Sequence, residues 1–298
     1  MYISSANHTY HMSDSTKSMM NKICVVTGAT SGIGQETVKA LALKGAFVII
    51  VGRNVKKCIA TVNNIKLHTG STLVDYVCAD LSDLKQVYNL ARVLKQNYHH
   101  IDVLVNNAGA YFKTRYQSMD GYEMTLALNY LSPFLLTSLL IDMLQESIQG
   151  RIINVSSNAH FKGMIHLDDF QSKHEYEGFN SYAQSKLALL LFTYELARRL
   201  KNTNITVNAL HPGLVATNFG KNNGWFRFYL RRLIKRHEIS APEGARTCIY
   251  LATSPDVADI TGGYFIKNKQ VMSSDDSYDQ KLAKQIWGVS EILTNISD

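Results

Sequence analysis

Cysteine is scarce in this 298-residue chain, with four residues, Cys24, Cys58, Cys78 and Cys248, far apart. None belongs to a CxxC pair or to a Cys/His cluster with metal-ligand spacing, which argues against a disulfide scaffold and a structural zinc site. Cys24 and Cys78 lie inside apolar, strand-like runs and read as buried free thiols, which implies a reducing compartment. Residues 1–20 carry Ser, His and Tyr but no apolar core of a signal peptide, so the expected location is cytoplasmic. The longest uncharged stretch, between Glu123 and Asp142, contains Asn129, Ser132, Pro133, Thr137 and Ser138. A buried helix explains it better than a bilayer span. Repeats and low-complexity linkers are missing. A general excess of one charge is missing too. The net charge is +7, but Arg227, Arg231, Arg232, Lys235 and Arg236 sit in one segment and leave +2 elsewhere. That argues against a nucleic-acid surface. At 46% hydrophobic and 18% charged residues the composition is that of a globular chain, not a disordered one.

What is present is alternation. Short apolar runs occur at residues 22–27, 46–51, 73–78, 102–106, 151–156, 205–210 and 262–266. Most are β-branched without clean polar alternation, as strands buried on both faces should be. Helical patterns lie between them. Residues 83–96 place Leu84, Val87, Leu90, Ala91 and Leu94 on one stripe, and residues 278–294 do the same with Leu282, Ile286, Val289 and Leu293. Ser240 and Glu243 read as a capping box with Pro242 near the helix start. The expected fold is α/β: a single-domain, Rossmann-type, doubly wound parallel sheet of about seven strands with helices on both faces. It should span residues 21–298, after a flexible tail at 1–20.

The first strand runs into Gly28, Ser31, Gly32, Ile33 and Gly34, with a helix opening near Ile33. Strand, glycine turn and helix N-terminus together suit a pyrophosphate, because free amides and the positive dipole end face it. Arg53 lies 19 residues after Gly34, where a ribose-reading residue belongs. An acid there would accept from the 2′-hydroxyl of NAD. An arginine favours the 2′-phosphate of NADP, with Lys56 and Lys57 adding to the field. Asp80-Leu81 and Asn107-Ala108-Gly109 follow the third and fourth strands, at the carboxyl edge where ligands of open α/β sheets lie. Asp80 also reads as a helix cap.

Tyr182 and Lys186 are four apart in a helical run and so share a face. Ser156-Ser157 ends the fifth strand. Asn129 stands inside an apolar helix, where it needs a partner or a task. Thr27-Gly28-x-x-x-Gly32-x-Gly34, Asn106-Asn107-Ala108-Gly109, Ser157, Tyr182-x-x-x-Lys186 and His211-Pro212-Gly213 occur here in the order and spacing of the short-chain dehydrogenase/reductase family. The resemblance covers about residues 21–266. Within that family the chain resembles the retinol dehydrogenase-like branch, through residues 151–157 followed by Ala159-His160, residues 185–188, residues 195–200 and the long gap before Tyr182.

The resemblance implies an NADP-dependent oxidoreductase moving a hydride between nicotinamide and an apolar carbonyl or alcohol, such as retinal, a lipid aldehyde or a ketone. Tyr182 would be the general acid or base, Lys186 would lower its pKa and hold the nicotinamide ribose, and Ser157 would hydrogen-bond the substrate oxygen. Asn129 would hold a water in a proton relay. Asp80 and Leu81 would meet the adenine, Asn107 to Gly109 the cofactor backbone, and Gly213, Val215 and Thr217 the nicotinamide carboxamide. The apolar helix around 126–141 and the helix after Tyr182 resemble the pair that forms a homodimer in many members.

Residues 158–181 depart from the simplest family pattern. They carry His160, His166, Asp168, Asp169, His174, Glu175 and Glu177 without tight ligand spacing, so a cleft-lining loop is expected and no metal. In residues 225–236, Trp225, Phe226, Tyr229, Leu230, Leu233 and Ile234 oppose the five basic residues on a helical wheel. This suits a substrate lid, about 217–240, or peripheral contact with a membrane surface. The rival readings are a non-catalytic NADP-binding regulator, a sugar-nucleotide epimerase, whose glycine spacing differs, and a reductase of another substrate class, protochlorophyllide-like or xenobiotic carbonyl.

Overall fold

The computed structural model describes residues 18–214 and 239–296. Val215, Thr217, the amphipathic segment 225–236 and most of the expected lid and tail lie outside the described residues. In chain order the elements are β1 (Ile23–Thr27), α1 (Gly32–Leu43), β2 (Phe47–Gly52), α2 (Val55–Thr69), β3 (Val74–Cys78), α3 (Leu84–Asn97), β4 (Val103–Asn106), α4 (Met124–Gln145), β5 (Gly150–Val155), α5 (Gly178–Arg199), β6 (Ile205–His211), α6 (Ala241–Thr253), β7 (Tyr264–Ile266), β8 (Lys269–Val271) and α7 (Gln280–Thr294).

The sheet order is β3-β2-β1-β4-β5-β6-β7-β8. The first seven strands are parallel, as expected of strands buried on both faces. The eighth corrects the expected count. It pairs antiparallel with β7 through a turn at Lys267 and Asn268, both in the left-handed region. All three of its residues are exposed, so it carries no apolar pattern to betray it. The strand order reverses direction between β1 and β4, the kind of switch point beside which ligands of open α/β sheets bind.

Side chains alternate across the sheet into two cores. Val25, Ile49, Val51 and Leu104 face α3, α4, α5 and α7. Cys24, Val26, Val48 and Ile50 face α1, α2 and α6. The uncharged stretch is α4, and 72% of its most apolar window is buried, so it is a core helix. It is not a uniform α-helix: Ala127–Leu131 forms a π-helical turn around Asn129. α7 is laid over α4 and α5. Trp287 packs edge-on against Phe134, its ring lies 3.9 Å from the Arg199 guanidinium, and Tyr130 Oη meets Ser290 Oγ at 2.7 Å.

Most helix starts carry a side-chain cap: Asn54, Asp83, Glu177, Ser240 and Asp279 each accept from a first-turn amide. Ser240 supplies the serine half of the expected capping box, its hydroxyl accepting from the Glu243 amide. The cap of α3 is Asp83, not Asp80, whose carboxylate accepts from the Ser82 amide and hydroxyl instead. Cys78 also departs from expectation. It lies at the end of edge strand β3 and is exposed, while Cys24, Cys58 and Cys248 are buried.

At the amino edge of the sheet, Asp102 is buried and ties β1 to β4 and β5. Its carboxylate accepts from the Ile23 amide at 2.7 Å, Lys22 Nζ at 2.9 Å and Ser147 Oγ at 2.6 Å. Burial pushes this carboxyl up, but Ser147, the Ile23 amide and Lys22 together outweigh it and hold it below the usual carboxylate range. Its contribution is therefore present above the unfolded-chain pKa of about 4 and lost as pH falls through the lower folded value. Asp102→Ala strands these donors and is expected to cost about 3 kcal/mol, read as a lower thermal midpoint at pH 7. The gap to wild type should close as the medium is made strongly acidic.

Candidate active site

The carboxyl ends of β1, β4 and β5 bring the site together. Thr27 Oγ1 donates to Val105 O at 3.2 Å and accepts from the amides of Asn107 and Ala108, each at 3.0 Å. Asn107 Nδ2 donates back to Thr27 O at 2.8 Å and Gly28 O at 3.3 Å. The glycine turn and the loop after β4 are thus one rigid piece. Gly28 has φ +63°, and a side chain there would put its Cβ 2.8 Å from the Ala108 backbone. At Gly34 a Cβ would lie 2.6 Å from Asn107 Nδ2.

Ser31 precedes α1 without a side-chain cap, and the first turn holds no acid. The helix therefore offers uncapped amides and its positive end at this turn. Arg53 is exposed at the end of β2. Between α1 and α2 lies a groove of about 490 Å³ lined by Thr30, Ser31, Gln35, Lys57, Thr61 and Asn64. Leu81 is buried in the core below Asp80, and Ile33 and Gly213 are half-buried at the same sheet edge.

Tyr182 and Lys186 project from the first turns of α5, whose start is fixed by Glu177 accepting from the amides of Phe179 and Asn180. Both side chains are buried, with Lys186 Nζ 5.7 Å from the centre of the Tyr182 ring. Lys186 Nζ donates to Val155 O at 2.9 Å, and Ser156 Oγ donates to Lys186 O at 3.1 Å. Ser157, directly after β5, shares a hydrogen bond with Tyr182. Burial pushes the Tyr182 phenol up to about 12, against the Ser157 hydrogen bond, and lowers Lys186 to about 8.

Asn129 has the partners its position demanded. Oδ1 accepts from the Ala110 amide at 2.9 Å, and Nδ2 donates to Ala110 O at 3.0 Å and Ser185 Oγ at 3.1 Å. Its side chain thus splints the loop after β4 to α5. A Cβ on Gly109 would lie 3.2 Å from Asn129 Oδ1 and 3.5 Å from Lys186 Nζ, so these two groups converge on one glycine.

The sequence reading gave several polar residues no structural task. Asn106 Nδ2 donates to Thr137 Oγ1 and to Asn154 Oδ1, and Asn154 Nδ2 donates to Thr193 Oγ1, all at 2.9 Å. This chain of bonds crosses from α4 through two strands to α5. Its signal was available: two asparagines inside otherwise apolar strands. The acids and histidines of residues 158–181 do not gather. His160 is buried, Asp169 accepts from the amides of Lys173 and His174, and Glu177 caps α5.

The family model for short chain dehydrogenases matches residues 22–225. The chain belongs to this family. Human retinol dehydrogenase 13 is 37% identical over 290 residues, covering 92% of this chain and 85% of that protein. Human polyprenol dehydrogenase is 37% identical over 285 residues, covering 93% and 86%. Among solved structures, a Mycobacterium paratuberculosis protein aligns with TM-score 0.76 at 31% identity, covering 93% of this chain and 94% of that one. The RhlG/NADP active-site complex of Pseudomonas aeruginosa aligns with TM-score 0.68 at 26% identity, covering 84% and 96%. The chain is thus an oxidoreductase of the retinol dehydrogenase-like kind, from a family that uses nicotinamide cofactors.

In this short-chain dehydrogenase the approach at Gly109 is close enough to test. Asn129 is held by three hydrogen bonds and has no free direction in which to yield. Gly109→Ala is expected to lower turnover on the order of tenfold with little change in the thermal midpoint. Steady-state kinetics beside a melting curve would check this.

Proposed function

We propose that this chain is an NADP-dependent oxidoreductase that interconverts an apolar alcohol and its carbonyl, with Tyr182 as general acid and base. The observation that carries the reading is the joint burial of Tyr182 and Lys186 beside Ser157 at the sheet's carboxyl edge. Two buried ionisable groups side by side with perturbed pKa values mark chemistry more than packing.

The residues at the edge fit an NADP molecule. The uncapped start of α1, with Ser31, Gly32, Ile33 and the close-packed Gly28 and Gly34, would hold the pyrophosphate. Exposed Arg53 would pair with the 2′-phosphate, a charge-assisted contact that NAD lacks. Asp80 and Leu81 would border the adenine, and Asn107, Ala108 and Gly109 the middle of the cofactor. Lys186 would hold the nicotinamide ribose, and Gly213 lies where the carboxamide would be met. When bound, the nicotinamide supplies or accepts the hydride.

The chain's own groups do the rest. Ser157 Oγ positions the substrate oxygen, and Tyr182 Oη gives it a proton during reduction or takes one during oxidation. With its phenol near 12, Tyr182 holds its proton at neutral pH. The acid form, the one reduction requires, is therefore loaded. Asn129 keeps the loop after β4 and α5 in register beneath the reacting groups. Exposed Phe161, Met164 and Leu214 stand on the loops after β5 and β6. They favour an apolar substrate, as do the alcohols in the names of the human relatives. A binder without turnover would have no need of a buried tyrosine and lysine together.

Two outcomes test the reading, with all-trans-retinal and medium-chain aldehydes as probes. Tyr182→Phe should lose at least a hundredfold in kcat while still binding NADPH. Wild-type kcat for reduction should be flat below pH 8 and fall above it, because Lys186 then loses the charge that favours phenolate. A Tyr182→Phe enzyme with full turnover would overturn the assignment. Separately, Arg53→Ala should weaken NADPH binding about tenfold and leave NADH binding unchanged, measured by fluorescence titration.

A further inference from the structure

We propose that His160 and His211 are positioning residues that clamp the peptide unit joining Ser157 to Asn158. His160 Nδ1 donates to Ser157 O at 2.6 Å. The Asn158 amide donates to His211 Nδ1 at 3.3 Å. The carbonyl and the amide of one peptide unit thus both end on an imidazole. That peptide sets ψ of Ser157, which is 151°, and with it the direction from which Ser157 Oγ faces Tyr182.

The proton positions follow from the partners. The Ser274 amide donates to His160 Nε2 at 3.1 Å. An amide has only a donor to offer, so Nε2 must be the lone pair and Nδ1 must carry the proton. His211 accepts through Nδ1 and is the opposite tautomer. Both rings are buried, and burial lowers both pKa values, that of His211 to about 4. The neutral forms are therefore kept. The His160 ring is packed between two aromatic neighbours. Its ring stands edge-on to Tyr264 at 5.0 Å and lies 4.2 Å from Phe161, while Tyr264 Oη donates to Asn158 Oδ1 at 3.0 Å.

The consequence is long-range. A backbone amide in the segment between β8 and α7 decides which nitrogen of His160 is protonated, and that proton holds the serine's carbonyl together with the His160 amide, which donates to the same oxygen at 3.1 Å. Without the Ser274 donor, His160 is free to place its proton on Nε2. Nδ1 would then turn a lone pair toward Ser157 O, and the clamp would open.

The inference rests on the role given to Ser157 above, so Ser157→Ala is measured alongside. The full chain is assayed with NADPH and all-trans-retinal. His160→Gln offers an acceptor near the Nε2 place and no donor near the Nδ1 place. His160→Asn does the reverse. His160→Gln should lose ten- to a hundredfold in kcat with NADPH affinity unchanged, and His160→Asn should recover most of it. Ser274→Pro removes only the amide donor, since φ there is −65° and the serine Oγ has no partner among the described residues. It should shift His160 toward the Nε2-protonated tautomer in ¹⁵N spectra and lower kcat. Wild-type kcat in His160→Gln beside an inactive Ser157→Ala overturns the clamp alone. A fully active Ser157→Ala overturns the reading of Ser157 and the clamp with it. The spectrum of the wild type decides even where a variant does not fold: a proton on Nε2 of His160 overturns the proposal.

Discussion

A lysine ammonium buried at the carboxyl edge of the sheet constrains the arrangement around it. Burying a charge costs several kcal/mol unless the site solvates it. Lys186 is 4% exposed and is met by Val155 O. For that contact α5 must run against the end of β5, with the faces of residues 182 and 186 turned inward. A helix so placed is buried nearly all round, so its polar atoms need partners inside the protein. Ser156 meets Lys186 O, Asn129 meets Ser185, and Asn154 meets Thr193. The asparagine chain through the sheet is thus part of what a helix buried nearly all round demands.

The elements themselves were legible. Seven strands lie within about two residues of the apolar runs, because burial on both faces leaves a continuous β-branched signature. Asn129 was legible as an anomaly: a polar residue in an apolar helix needs partners, and it has three. Other features had no such signature. β8 is held by backbone pairing to β7 and its side chains are all exposed. Cys78 looks like a core residue by its neighbours, but β3 is an edge strand, and edge position is a property of strand order. Asp80 and Asp83 are equally good caps by composition; only the geometry of the turn chose Asp83. Thr27, Asn107 and His211 act on atoms distant in sequence, as does Nε2 of His160 on the Ser274 amide, and no local pattern reports such partners.

The segment after β7 shows how that distance matters. α7 covers α4 and α5 through Trp287, and Tyr130 bonds to Ser290 next to Asn129. Ser274 reaches His160 beside Ser157. Two of the groups flanking the reaction site are thus backed by residues from the last quarter of the chain. The expected domain reached that far only because the helical stripe at 278–294 was visible; why the stripe is there becomes plain from what it packs on.

The pKa pattern sets the protonation states these residues favour. To serve as base at neutral pH in the proposed reaction, Tyr182 would have to lose its proton far below the value near 12 that burial gives it. The Ser157 hydrogen bond already works in that direction and has not offset burial. Lys186 helps only while charged, and its own burial brings it to about 8. Both groups are disfavoured as ions by the same desolvation, so neither alone can reverse the other's shift. A further positive charge at the site is required before phenolate is favoured. By its own side chains the site favours the protonated phenol, and phenolate gains only with a cation beside it. On the proposed role of Tyr182, reduction and oxidation both pass between its phenol and its phenolate, so both depend on the positive charge held beside it.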